Sequence, residues 1–228
     1  MREKGLFIVF EGVDGVGKTT LAKHMAEEFH RRGQSVLLTK EPFDGTIEGK
    51  ALREIIVNGN LDPLTKVMLV EAARIEHRRK IIDPALKRGE VVICDRYVTS
   101  THAYDGCTYE NLFYQNLIFT ALKTDLQIDH LFYVTASEAT SFNRLMLRNT
   151  EMNKLDFLNE KEKASIKGRF INKINEIKSN VVSFSQEWEG LRGEPQRLHE
   201  IENEGDITDV LEKINKFVEK EVQLLQPS

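Results

Sequence analysis

The sequence predicts an α/β protein built on a parallel sheet with helices on both faces. Three observations carry that reading. Four short apolar runs, Leu6–Phe10, Ser35–Thr39, Glu90–Cys94 and His130–Thr135, have the length and composition of buried strands. Helical patterns separate them, and alternating strand and helix is the mark of parallel pairing. The first run also feeds without a break into a glycine-rich loop and then a helical pattern.

That loop, residues 12–20, reads Gly12-Val13-Asp14-Gly15-Val16-Gly17-Lys18-Thr19-Thr20, a complete G-x-x-x-x-G-K-[ST] phosphate-binding motif. Its glycines let the backbone curl until several N–H groups converge on a helix N-terminus, where partial positive charge favours an anion. Gly12, Gly15, Val16, Gly17 and Thr20 are expected to form the cradle. Lys18 is expected to reach the outer phosphates and the Thr19 hydroxyl to ligate Mg²⁺. A nucleoside triphosphate, ATP in the first place, is the implied ligand.

The helix after the loop is expected to run to about Arg32 and to stop at Gly33. A second helix begins at Asp62-Pro63, a cap followed by a first-turn proline, and continues towards Gly89. Arg148 to Lys163 is polar and lacks periodicity, and residues 148–163 are a candidate lid. Ile166, Phe170, Ile174, Ile177, Val181 and Trp188 recur at helical spacing, and Gln196–Ile201 is a weaker fifth strand. Asp206-Ile207-Thr208-Asp209 resembles a capping box opening a last helix, its apolar face Val210, Leu211, Ile214, Phe217, Val218 and Val222.

The length of 228 residues fits one domain spanning 1–228. With 32 Lys+Arg against 36 Asp+Glu the net charge is −4, so no affinity for nucleic acid polymers is expected. Cys94 and Cys107 have neither metal spacing nor a disulfide framework, and Cys94 reads as a core thiol. The apolar stretch after Met1–Gly5 is too short for a signal peptide, and no segment approaches the roughly 20 apolar residues of a membrane span. A reducing, cytoplasmic setting with no membrane partner is expected.

A phosphate loop alone fits a GTPase, an ATPase motor or a kinase. The third strand ends Cys94-Asp95-Arg96-Tyr97. An acid at that strand end can hold Mg²⁺, as Asp95 is expected to do with Thr19. The arginine beside it suits a second phosphate, brought by an acceptor, because guanidinium grips phosphate with a planar fork. Lys40 after the second strand, Arg53 in the helix that follows, and Arg74 can join that cation cluster.

Phe10 to Thr20, then Thr39-Lys40-Glu41-Pro42, then Ala72-Ala73-Arg74, then Asp95-Arg96-Tyr97 with Ser100, Ala103, Tyr104 and Gly106 resemble thymidylate kinases of the bacterial type. The resemblance runs over nearly the whole chain in order and spacing. It implies a P-loop nucleoside monophosphate kinase fold with a five-stranded parallel sheet and a lid. It also implies a homodimer that transfers the γ-phosphoryl group of Mg·ATP to dTMP, giving dTDP, in nucleotide biosynthesis. Residue by residue, it gives Lys18 and Thr19 the ATP phosphates and Mg²⁺, Asp14 the acceptor 3′-hydroxyl, and Arg96 the acceptor phosphate with Asp95 near the metal. Arg74 and Thr101 would contact the base, and Tyr104 would exclude a ribose 2′-hydroxyl.

The chain departs from the pattern at several positions. Gly15 stands where eukaryotic relatives carry a loop arginine, so Arg144, Arg148 and Lys154 are the cations available from the lid side, with Arg148 expected at the transferred group. Asp156 follows Leu155 as the family's lid acid does, but Phe157 replaces its arginine neighbour. Val70 stands where the family stacks a phenylalanine on thymine, Lys40 where it has an arginine, and Asp105 where it has a glutamine. These positions bear on the base, so a kinase for another or a 5-modified deoxypyrimidine monophosphate is the closest alternative. A P-loop regulatory protein is the alternative from another class; it would have no need of Arg96 or Tyr104.

Overall fold

The computed structural model describes residues 5–98, 100, 128–148 and 197–225. Thr101, Tyr104, Asp105, Cys107, Lys154, Asp156 and Phe157, the lid candidate beyond Arg148, and the Ile166–Trp188 stripe lie outside the described residues.

Five strands form one parallel sheet in the order β2-β3-β1-β4-β5: β1 Leu6–Glu11, β2 Val36–Lys40, β3 Val91–Asp95, β4 His130–Thr135 and β5 Arg197–Glu202. Each expected strand is present, within a residue of its expected ends. β1 is central, with β3 on one side and β4 on the other. The chain therefore reverses its direction of travel beside β1, and a crevice opens at the carboxyl ends of β1, β3 and β4. Register brings the chemistry together there: both Phe10 and Lys40 are paired with Asp95.

Alternation along β1 explains the two halves of the core. Leu6, Ile8 and Phe10 pack with Leu21, Met25 and Phe29 of α1 (Lys18–Arg31), while Phe7 and Val9 pack with Ile82, Leu86 and Tyr97 on the opposite face. Phe7 meets Tyr97 edge to face at 5.2 Å. Cys94 is a buried free thiol in that second half, as its apolar run implies.

The α2 helix, Ile47–Asn58, carries Arg53 as expected of the helix after β2; Thr46 caps it by accepting from Gly49 N at 3.0 Å. In α3, Pro63–His77, Asp62 caps as expected, accepting from Leu64 N at 2.9 Å. The expected continuation towards Gly89 holds in an altered form. Pro84 has no N–H for an i→i−4 bond, and a five-residue π-helical stretch, Arg78–Ile82, joins α3 to α4, Asp83–Lys87. The α5 helix spans Glu138–Arg148 and α6 spans Ile207–Leu224, Asp206 capping α6 through Thr208 N at 2.7 Å. No helix among the described residues is long and apolar enough to cross a membrane.

One expectation for α6 is corrected. Val210, Ile214, Val218 and Val222 form its buried stripe, but Phe217 stays 44% exposed and lies against His199, ring centroids 4.0 Å apart. A hydrophobic residue at the border of the stripe finds an edge-strand side chain, and the core needs only every fourth position. Ile214→Ala should therefore destabilise the protein by about 2–5 kcal/mol in urea unfolding, and Phe217→Ala by clearly less. Equal losses would contradict this placement.

Candidate active site

β1 delivers the phosphate loop at the crevice. The loop is held by close approach at both ends. A Cβ on Gly12, at φ 142°, would lie 2.3 Å from the Val134 carbonyl, and one on Gly17, at φ 95°, would lie 2.4 Å from Asn203 Nδ2. Asn203, just after β5, donates from Nδ2 to Val16 O at 2.7 Å, and Arg144 of α5 donates to the same carbonyl at 3.3 Å and to Asn203 O at 3.0 Å. The Val16 side chain is buried in the core. The N-terminus of α1 carries no side-chain cap and no acid in its first turn, so its N–H groups are left for an anion.

Lys18 is buried and donates to Val13 O at 2.8 Å. Burial, followed by the nearby Arg96 guanidinium, lowers its ammonium pKa to about 8. Thr19 Oγ1 donates to Asp95 Oδ2, while Asp95 Oδ1 is buried with no hydrogen-bond partner among the described residues. Arg96 donates from Nη2 to Asp14 Oδ1, and from Nη1 to Ser100 Oγ at 3.1 Å and to Gly12 O at 3.5 Å. Asp14 and Arg96, set apart by 82 positions in the chain, thus stand side by side.

Two cavities meet at this pair. One, of about 770 Å³, is lined by the loop, Thr20, Lys23, Lys40, Arg53, Asp95, Arg144 and Asn203. The other, of about 440 Å³, lies between α2, α3 and the segment after β3, and is lined by Phe43, Ile56, Val57, Lys66, Val70, Ala73, Arg74, Tyr97 and Ser100. Asp14, Glu41 and Arg96 line both. The first has the cations that a phosphate-rich ligand would need; the second has apolar walls and charged groups at its floor, the character of a site for a small organic ligand.

Arg74 forms that floor. Its guanidinium is buried, donating from Nε to Glu41 Oε2 at 2.8 Å and from Nη1 to Glu71 Oε1, and it sits 5.3 Å over the Tyr97 ring. Burial works against its charge, but the two carboxylates outweigh burial and hold its pKa well above the usual arginine value. His77 continues the network, placing Nδ1 3.3 Å from Glu41 Oε1 and Nε2 2.7 Å from Thr39 Oγ1, and stacking on Phe43 at 4.2 Å.

Lys40 and Arg53 line the basin but both lean on Asp44, at 2.9 and 3.6 Å, and Arg53 also donates to Pro42 O at 2.6 Å. Thr101, Tyr104 and Asp105 lie outside the described residues, and of Arg148 only the helical backbone at the end of α5 is described. Sequence reasoning missed Glu11, Lys23, Glu71, His77 and Asn203. Glu11 had a signal, an acid closing an otherwise apolar strand; Lys23 lies one turn beyond Thr19 on α1. Glu71 shares an i,i+3 spacing with Arg74, whereas nothing local marks Asn203.

The lowered pKa of Lys18 yields a pH test. An unfolded lysine titrates near 10.5 and the folded one near 8, so between these values the unfolded chain holds the extra proton and stability rises with pH. In nucleotide-free protein, wild type should gain stability relative to Lys18→Met across that window in urea unfolding. Parallel pH curves for the two proteins would show a solvated amine.

With this geometry in view, the likeness to known proteins is specific. A family model for thymidylate kinase matches residues 10–192. A thymidylate kinase of Rickettsia typhi is 38% identical over 156 residues, 67% of this chain and 75% of that protein. One of Albidiferax ferrireducens is 45% identical over 106 residues, 46% of this chain and 49% of that protein. Against relatives of the latter kind, the chain spans about half their length. The crystal structure of thymidylate kinase from Ehrlichia chaffeensis superposes with a TM-score of 0.66 at 25% identity, covering 94% of this chain and 98% of that one. A match that starts at the end of β1 and continues to residue 192 reaches far beyond a phosphate loop, and it establishes that the chain belongs to the thymidylate kinase family.

Proposed function

We propose that the protein transfers the γ-phosphoryl group of Mg·ATP to dTMP, giving dTDP and ADP. The observation that carries this reading is the meeting of the two cavities at Asp14 and Arg96. ATP fills the basin, its outer phosphates on the loop N–H groups and Lys18, with Arg144 and Asn203 at its far side. The acceptor lies in the apolar cavity, base towards Val70 and Arg74, phosphate towards Arg96, sugar towards Asp14.

The acceptor's phosphate loses its second proton near pH 6, so its oxygen attacks without a general base. What the reaction needs is alignment and cancellation of charge, and Lys18 and Arg96 bring cations to the junction from opposite sides. Mg²⁺ fits this site: the orphaned Asp95 Oδ1 and the Thr19 hydroxyl offer two oxygens, in keeping with an ion that takes its other ligands from phosphates and water. Held there, it would neutralise charge on the β- and γ-phosphates. The buried free thiol of Cys94 suits the reducing cytoplasm, where we place the enzyme.

Coupled ADP release with dTMP, dUMP, dCMP, dGMP and UMP tests the assignment, and dTMP should give the highest kcat/KM. A purine or cytosine nucleotide winning would overturn the thymidylate assignment but keep the kinase; no acceptor-dependent turnover would overturn both. Arg96→Ala should raise the acceptor KM and lower kcat while the ATP KM changes little. Val70→Phe should tighten acceptor binding, because a base–aromatic stack contributes about 1–3 kcal/mol. The small Val70 wall also favours a second acceptor class, deoxypyrimidine monophosphates enlarged at C5.

The protein is proposed to act as a homodimer. Met68 and Ile75, seven residues apart on one face of α3, are 47% and 49% exposed, and Ile55 of neighbouring α2 is 45% exposed. Light scattering should give twice the chain mass for wild type and a lower mass for Ile75→Glu. A monomeric wild type at micromolar concentration would refute the pairing.

A further inference from the structure

Arg96 is held in an uncommon backbone conformation. Its φ is 72°, the left-handed region, and it is the non-glycine residue with positive φ among the described residues. Left-handed geometry costs an arginine on the order of 1–2 kcal/mol relative to right-handed backbone, so neighbouring contacts must impose it. Four hydrogen bonds around Arg96 and Tyr97 do so. Arg96 N donates to Phe10 O at 2.9 Å and Arg96 O accepts from the Cys94 thiol at 3.0 Å. The next peptide is held by Glu11: its Oε1 accepts from Tyr97 N at 2.9 Å and from Ser100 N at 3.0 Å.

Glu11 also reaches the guanidinium itself. Its Oε2 accepts from the Ser100 hydroxyl at 2.6 Å, which leaves the Ser100 oxygen lone pairs to accept from Arg96 Nη1 at 3.1 Å. Glu11 is fully buried, and burial raises its carboxyl pKa although Arg96 opposes that rise. A buried carboxylate without a structural partner would be costly; this one spends its acceptor sites on the three groups that set one arginine.

We infer that Glu11 and Ser100 form a positioning relay for the acceptor clamp: the Glu11 carboxylate fixes the backbone after Arg96, and Ser100 aims its guanidinium at the junction of the two cavities. The inference rests on the reading of Arg96 as the acceptor-phosphate clamp. Neither residue touches the transferred group. Neither lines the larger basin proposed for ATP, whereas Ser100 lines the acceptor cavity, so their main effect is expected on the acceptor.

Steady-state kinetics of Ser100→Ala, Ser100→Thr and Glu11→Gln, with dTMP and ATP varied in turn, test the relay. Ser100→Ala should raise the dTMP KM about tenfold, the effect of losing a charged hydrogen bond, with the ATP KM nearly unchanged. Ser100→Thr, which keeps the hydroxyl, should recover most of that loss, and Glu11→Gln should raise the dTMP KM further and lower kcat. In an Arg96→Ala background, Ser100→Ala should have no further effect on the dTMP KM, which a merely structural serine would not show. Equal changes in the KM of ATP and dTMP, or full additivity with Arg96→Ala, would overturn the relay. Crystal structures of Ser100→Ala and Glu11→Gln separate its failure from that of the functional reading. Arg96 should leave Asp14 and Gly12 O in both variants whether or not dTMP is the acceptor; a guanidinium that stays in place overturns the relay, whereas absent dTMP turnover by wild type overturns only the assigned reaction.

Discussion

The burial of β1 on every side is the constraint on which the remaining structure depends. All six of its residues are buried, with β3 and β4 as neighbours and a helix layer on either face. A strand so enclosed can present ligand-binding groups only at its end, and the end is where Glu11 and the phosphate loop are found. The same enclosure makes the loop precise. Val134 and Asn203 approach it so closely that glycine is the residue that fits at positions 12 and 17.

Charge at the crevice is arranged in local balances. Lys18 and Arg74 are buried and Arg96 is half-buried, and each lies against at least one oxygen acceptor. The balances differ in kind. Arg74 is held between two carboxylates and is more strongly cationic than a free arginine, which suits a fixed donor on a pocket floor. Among the described residues Lys18 has only a carbonyl within bonding distance, and burial weakens its proton affinity; an arriving polyphosphate would restore it. A buried cation left short of a partner is the state expected of a group whose partner is a ligand.

In the cavity proposed for the acceptor, recognition would shift from an apolar wall to a polar network. Val70 offers no aromatic face, so the polar floor would carry more of the discrimination. A hydrogen-bonded edge distinguishes bases far more sharply than an apolar wall. Arg74 owes its place there to Glu41 at the end of β2 and Glu71 on its own helix, with His77 linking Glu41 to Thr39. Under the proposed function, recognition of the base would therefore depend also on Glu71, His77 and Thr39, which brace Arg74 and Glu41 without lining the cavity.

Strand periods, the phosphate loop and the Asp95-Arg96 pair are local signals, so the parallel sheet, its five strands and the place of the crevice residues at strand ends were legible in the chain alone. The caps at Asp62 and Asp206 were legible for the same reason, since a cap involves residues two or three apart. The bounds of α2 were not, because its apolar residues lack a clean stripe and only the Thr46 cap marks its start. What only the tertiary structure decided are contacts between distant strand ends: Asn203 on the loop carbonyl 187 positions away, Glu11 on Tyr97 and Ser100, and Asp14 on Arg96. Sheet order creates those neighbours. A sequence determines which residues close each strand, but which strand ends meet depends on the order β2-β3-β1-β4-β5, and that order is settled by how the helices cover both faces of β1 at once.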